Sequence, residues 1–302
     1  MRRTALLAAG LLAGAALAAC AAAPAPGPAA PPVPSAAAPA ATAAPPAPER
    51  CPTTAAQRLA WGPPTRAADF EGGGLPPDWH PYGPEVGHDS KGVRTPDAIT
   101  VADGVATITA TADGTTGAMS WHPGQRFGRW EACLRTDPGP DALHAVAILW
   151  PVAEDFPAGG EIDWMEIFRG DRSRVTVNIH HGPPDRSFGG AVDHDATRWT
   201  AWAVEWTAQR VTTYRDGAEW YRTDRADLLP PRPMNMTVQL DWFPPPGGGP
   251  APSGSAMHLD WARQWALPDS EPATLSLAPG DPATGQPELH PDRTPRADAA
   301  VP

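Results

Sequence analysis

From about residue 100 to residue 265 the chain alternates apolar and polar positions in short runs, each closed by glycine, proline or Asp-Gly. VADGVATITATADG holds a brief alternating segment between two Asp-Gly turns, and FGRWEACLRT, VTVNIHHG, WTAWAVEW and RVTTYRDGAEWY follow it. Their β-branched and aromatic enrichment marks strands. Asp216-Gly217, between RVTTYR and AEWY, has the chemistry of a two-residue hairpin turn. No long helical period and no internal repeat is visible. Many short strands of this kind predict an all-β, two-sheet antiparallel β-sandwich.

The two-residue period also assigns faces. In VTVNIH, Val175, Val177 and Ile179 share one side and Thr176, Asn178 and His180 the other. The apolar side is core, and the polar side is solvent or the lining of a groove. His180 and His181 are adjacent, so they point to opposite faces and do not form a zinc site together; His194 stands too far off to help.

GGEIDWMEIF, residues 159–168, breaks the pattern with three carboxylates in an apolar strand. Glu161 and Asp163 are two apart and share a face. Glu166 is five from Glu161, so a regular strand would drive it into the core, where a lone carboxylate costs several kcal/mol, on the order of 2–7 or more. A β-bulge at Trp164 and Met165 restores the parity and returns Glu166 to the side of the other two. With the bulge, Glu161 and Glu166 are about four strand steps apart, ~13 Å. Their side chains can lean together to roughly 5 Å, the separation of retaining glycoside hydrolysis. Crowded anions keep one carboxyl protonated near neutral pH, as a general acid requires. A surface acidic strand or a calcium site is the alternative. Calcium, however, draws on loops and backbone carbonyls more than on a strand framed by Ile, Trp and Met.

The ends of the 302-residue chain read differently. Residues 1–19 have Arg2 and Arg3 before an apolar run too short to span a bilayer comfortably, which is the pattern of a secretory signal. The run ends LAAC. That spacing resembles a bacterial lipobox in which Cys20 is lipidated; an ordinary cleaved signal is the alternative. Residues 20–49 form a linker of alanine and proline that favours extended polyproline II and cannot bury a core. The predicted domain is 50–265, and 266–302 reads as a disordered tail. The expected location is the outer face of a bacterial membrane, held through the lipid on Cys20 only, or the medium if the lipobox is not used. Cys51 and Cys133 remain in an exported domain and are a disulfide candidate, with two buried thiols as the alternative.

Net charge is −11, or −13 without Arg2 and Arg3, and no basic stripe is present. Nucleic acid is therefore excluded as a partner, and a neutral ligand fits better. Thirteen tryptophans add a weak hint of sugar stacking, since half or more belong in the core.

The same residues carry a resemblance. GEIDWMEIF resembles the catalytic signature of glycoside hydrolase family 16 in its bulged form. FGRWEACLRT is similar to that family's YGRFEARIK strand, and ILWP to the strand before the signature. NIHHG resembles LHYG, WTAWAVEWTAQRVTTYRDG resembles WHTYAIEW…WYVDG, and MHLDWARQW resembles MYVDYVRVY. The likeness keeps order and spacing over about 200 residues. It implies a concanavalin-like jelly roll with a substrate cleft on its concave face. It further implies Glu161 as nucleophile, Asp163 as assisting carboxylate, Glu166 as general acid/base and His180 as a cleft residue, with Asn178 beside it. Family members often place a tryptophan where Ile148 stands. Trp150 has the same parity and is a candidate substitute, or is core; Trp242 is a further substrate-binding candidate. Thr200 stands where many members have histidine. The bulged form leans the substrate toward β-1,3-glucan. No cofactor is required, though Asp69 and Asp260 match positions that contribute to a structural calcium. The expected molecule is a monomeric endo-glycosidase of β-linked polysaccharide. A non-catalytic sugar-binding sandwich and a transglycosylase of cell-wall or capsule glucan remain open.

Overall fold

The computed structural model describes residues 49–87, 91–243 and 254–273. The signal segment, Cys20, nearly all of the Ala/Pro linker and the end of the tail lie outside the described residues. After a short helix α1 (Ala55–Arg58) come β1 (Arg66–Asp69), β2 (Trp79–Pro81), β3 (Glu85–Val86), β4 (Val93–Arg94), β5 (Ile99–Ala102), β6 (Val105–Ala110), β7 (Thr115–Arg126) and β8 (Gly128–Thr136). The chain continues through β9 (Leu143–Pro151), β10 (Glu161–Ile167), β11 (Arg174–His181), β12 (Arg186–Asp193), β13 (Thr200–Trp206) and β14 (Val211–Arg215). It ends with β15 (Ala218–Thr223), β16 (Met234–Trp242), β17 (Ser255–Trp265) and β18 (Glu271–Ala273).

Two sheets form a jelly-roll sandwich. One runs β15-β14-β13-β8-β17-β6-β5 with β1 beside β17; the other runs β12-β11-β10-β9-β16-β7-β4-β3 with β2 and β18 against β7. The pairing is antiparallel apart from β4 with β7, which is parallel. Alternation sets the core between them. Ile108, Leu134, Val204 and Leu259 of the first sheet meet Met119, Leu149, Ile162, Val177, Met236 and Leu240 of the second in one buried cluster. Each such side chain contributes about 1.5–3 kcal/mol by leaving water. Trp121, Trp130, Trp164, Trp202 and Trp206 are fully buried, so much of the tryptophan content is core.

Asp216 and Gly217 both have positive φ, +47° and +73°, which is what a two-residue turn between β14 and β15 demands. Cys51 and Cys133 form a disulfide with Cα atoms 5.9 Å apart, fastening the start of the domain to β8. Between Cys51 and α1, Thr54 caps the helix and Gln57 returns the bond to the cap. The fold runs past the expected boundary at 265. Leu267 binds Ser270, and β18 pairs with β7 through Glu271 opposite Arg126. The few apolar residues there hid this strand, because backbone pairing to an edge needs no hydrophobic face.

Candidate active site

The ten-stranded sheet carries the three carboxylates on its outer face. In β10 the pairs Glu161–His180 and Asp163–Asn178 with β11 are followed, after a register shift, by Glu166–Thr176. Two residues, Trp164 and Met165, therefore oppose the single Val177, and both are in the core. This is the bulge required by parity, and it leaves Glu161, Asp163 and Glu166 on one side. Gly160, immediately before the strand, has a φ of +75°. A Cβ there would lie 2.7 Å from Pro230 and 2.9 Å from the carbonyl oxygen of His180, so only glycine lets the strand start this close to its neighbours.

All three acids are buried, at 0, 0 and 2% exposure for Glu161, Asp163 and Glu166. Asn178 donates its amide to Glu166 Oε2 at 2.5 Å, and Thr176 donates its hydroxyl to the Glu166 carbonyl. His180 sits opposite Glu161 with its Nε2 3.4 Å from Asp163 Oδ2. Its Nδ1 is 3.0 and 3.2 Å from the two carboxylate oxygens of Asp185, in the turn between β11 and β12. Burial alone would lower the imidazole; hydrogen bonding to Asp163 and Asp185 and the charge of Glu161 outweigh it and push its pKa up to about 10. Ligand atoms of Glu161, Asp163 and His180 lie within 4.8 Å of one another. An imidazole flanked by acids on both nitrogens is a cation within an ion-pair cluster, not a ready metal ligand.

Other sequence candidates divide. Asn178 and His180 lie on the outer face with the acids. Trp150 does too, in a small cluster with Val146, Ile148 and Phe156. It is stacked under Phe156 (centroids 5.4 Å apart) and donates Nε1 to Glu154 at 2.7 Å, which leaves it 4% exposed. Trp242 does not join them. It pairs with core-facing Leu143, so its parity turns it to the inner side, where it packs on the edge of the core over Gly92 and Gly114. Asp69 and Asp260 are each paired with an arginine. Asp260 takes Arg50 at 2.6 Å and Asp69 takes Arg263 at 2.6 Å, so guanidinium groups already hold carboxylates that a calcium cage would need.

Several outer-face residues escaped the sequence reading. β16 presents Asn235, Thr237, Gln239 and Asp241 beside β9, with Met234, Met236, Val238 and Leu240 in the core. Thr237 shares a 2.7 Å hydrogen bond with Ser120, and Asp241 is bound by the buried Arg94. The alternation in MNMTVQLD was a usable signal for that strand. Nothing local marked Asp185 or Phe156.

The family model described as Glycosyl hydrolases family 16 matches residues 87–263. Similar solved structures include the catalytic domain of an endo-1,3-beta-glucanase (laminarinase) from Thermotoga petrophila RKU-1. It is 18% identical, covers 68% of this chain and 98% of that one, and has a TM-score of 0.60. LamAcat from Zobellia galactanivorans is 17% identical, with 69% and 99% covered and a TM-score of 0.59. A prokaryotic beta-1,3-1,4-glucanase (lichenase) derived from a mouse hindgut metagenome is 15% identical, with 67% and 99% covered and a TM-score of 0.55. No curated protein matches the chain.

Proposed function

The chain belongs to glycosyl hydrolases family 16, and from that premise we propose that it is a retaining, endo-acting hydrolase of β-1,3-glucan. The observation that carries the reading is the bulge, because it alone brings Glu166 to the face of Glu161 and Asp163. A strand that only needed a stable core would have an apolar residue at 166 and no register shift.

The chemistry follows from two carboxyls on one face. Glu161 attacks the anomeric carbon as the glycosidic C–O bond breaks, and Glu166 gives its proton to the departing oxygen. A glycosyl ester of Glu161 results. Glu166, now a carboxylate, takes a proton from water, which attacks the same carbon and releases Glu161. Asn178 orients Glu166 through its amide. Asp163 tunes the charge beside the nucleophile together with His180. Support for β-1,3-glucan over other polymers comes from the bulged spacing and from the laminarinase among the similar folds. The lipid on Cys20 would hold the enzyme at a membrane surface, so Cys20→Ala should move it from the detergent phase to the soluble fraction.

Reducing-end release from laminarin, mixed-linkage glucan, agarose and a galactan tests the substrate. Laminarin should be cleaved fastest, with fresh reducing ends of β configuration. No release from any of the four would overturn the glycosidase reading, and preference for another polymer would overturn the linkage.

A further inference from the structure

The arrangement around His180 reaches beyond the three acids. Its ring is 4% exposed and lies between two carboxylates on opposite edges, Asp163 on the Nε2 side and Asp185 on the Nδ1 side. Asp185 stands outside both strands, after Gly182, Pro183 and Pro184 and immediately before β12. Gly182 has a φ of +58°, which lets the chain fold back so that the Asp185 side chain reaches over the ring. A neutral imidazole has one N–H and can satisfy one acid; meeting two requires both nitrogens protonated.

We propose that Asp185 is a positioning residue that holds His180 as an imidazolium with its Nε2–H aimed at Asp163, and so sets the charge beside the nucleophile. This rests on the glycosidase reading above. Glu161 and Asp163 are two residues apart on one strand face, so their negative charges repel each other. A fixed cation on Asp163 offsets that repulsion and leaves Glu161 ionised for attack. Without Asp185, the ring would lose an anionic partner and the rotamer that goes with it. The titratable groups facing His180 are Glu161 and Asp163 from β10 and Asp185 from the turn, with His181 on the opposite face of its own strand, while Phe156 packs on the ring from the β9–β10 loop. Asp185 is the one among the anions that is partly exposed, at 22% of its side chain, so it can be changed with little effect on the core.

The test pairs a spectroscopic with a kinetic readout on the full chain. Nitrogen-15 histidine spectra are recorded against pH for the wild type, Asp185→Asn and Asp185→Glu, with His180→Gln to assign the resonance. His180 should stay doubly protonated through neutral pH in the wild type. In Asp185→Asn its midpoint should fall by about 1–3 pH units, the effect of removing one adjacent opposite charge. On laminarin, kcat should fall about tenfold with KM nearly unchanged, the mark of a group acting in the transition state only. The alkaline limb of the kcat profile should move to lower pH with the His180 midpoint, and Asp185→Glu should restore much of both. An unshifted His180 midpoint in Asp185→Asn overturns the proposal whatever the activity does. A shifted midpoint with wild-type kcat and pH profile overturns it as well. A wild type that cleaves no glucan while His180 still shifts overturns the glycosidase reading but leaves the Asp185–His180 pairing standing.

Discussion

Buried acids on the two sheets are answered in different ways. On the eight-stranded sheet, Glu205 lies between Arg129 at 2.6 Å and Arg210 at 3.0 Å. Burial would raise its pKa, but the two guanidinium groups outweigh that and lower it. On β16 of the ten-stranded sheet, Asp241 is held by Arg94, itself 1% exposed and also within 3.4 Å of Glu85. The partners the structure describes for the acids of β10 in the same sheet are an imidazole, on Asp163, and an amide, on Glu166. A guanidinium is always charged and locks its partner as a carboxylate. An amide accepts either protonation state, and an imidazolium exists only while its own acids hold it. Acids with a structural task are fixed; those with a chemical task stay adjustable.

The largest effect that would break this contrast is on turnover. Glu161→Gln removes the nucleophile and should lower kcat by about 10⁴-fold or more, whereas Glu205→Gln should leave kcat near wild type. Glu166→Gln should cripple polysaccharide cleavage but still let an aryl glycoside with a good leaving group glycosylate Glu161. Added azide should then release a β-glycosyl azide. Equal activity on polysaccharide in all these variants would dissolve the distinction, and an α-azide would exclude retention.

Stability gives the next test. Asp241→Ala leaves the buried Arg94 only its longer 3.4 Å contact with Glu85 and should cost about 3–5 kcal/mol, read from the urea midpoint. Asp163→Asn, which keeps shape and leaves His180 its Asp185 partner, should cost clearly less. A smaller loss in Asp241→Ala than in Asp163→Asn would mean that the guanidinium pairing is not structural. The disulfide comes third. Replacing Cys51 and Cys133 by alanine frees a loop of 82 residues and should cost about 2–4 kcal/mol, with laminarin kcat unchanged below the lowered melting temperature.

The unequal legibility of these features has a physical cause. Strand parity is local, so the five-residue separation of Glu161 and Glu166 sufficed to place a bulge, and the alternation in β11 sufficed to place the Thr176, Asn178 and His180 face. The same rule applied to Trp242 would have turned it inward, since Asp241 beside it is on the outer face. Arg94 and Asp241 are 147 residues apart, and no local period connects them; only the sheet order brings β4 near β16. Asp185 depends on how one turn folds over a ring, which spacing does not encode. The strand at 271–273 was hidden because its pairing rests on backbone groups and an exposed Arg126–Glu271 ion pair, with no apolar face to mark it.

The smallest predicted effect concerns Glu131, an acid whose hydrogen-bond partners are backbone N–H groups, with Arg263 opposite it on β17 adding only a minor lowering charge. It is 1% exposed and accepts the backbone N–H groups of Ala55 and Ala56 at 2.5 and 3.2 Å. Burial pushes its pKa up to about 7, against the lowering effect of those two donors. An acid whose folded pKa lies above its unfolded value binds more protons in the native state, so stability falls as pH rises between the two. The window here runs from about 4.5 to about 7. Glu131→Gln keeps one acceptor oxygen but turns an NH₂ toward the second donor, so it should be less stable than wild type at pH 5. As pH climbs to 7 the wild type should lose on the order of 1–2 kcal/mol relative to the variant, and above that the gap should stop changing. Urea denaturation of both proteins at half-unit steps from pH 5 to 8.5 isolates the effect, because every other titrating group is common to the pair. A gap that stays constant across the whole range would show that Glu131 keeps an ordinary carboxylate pKa. Two backbone donors, helped by the charge of Arg263, would then hold a buried acid as firmly as Arg129 and Arg210 hold Glu205.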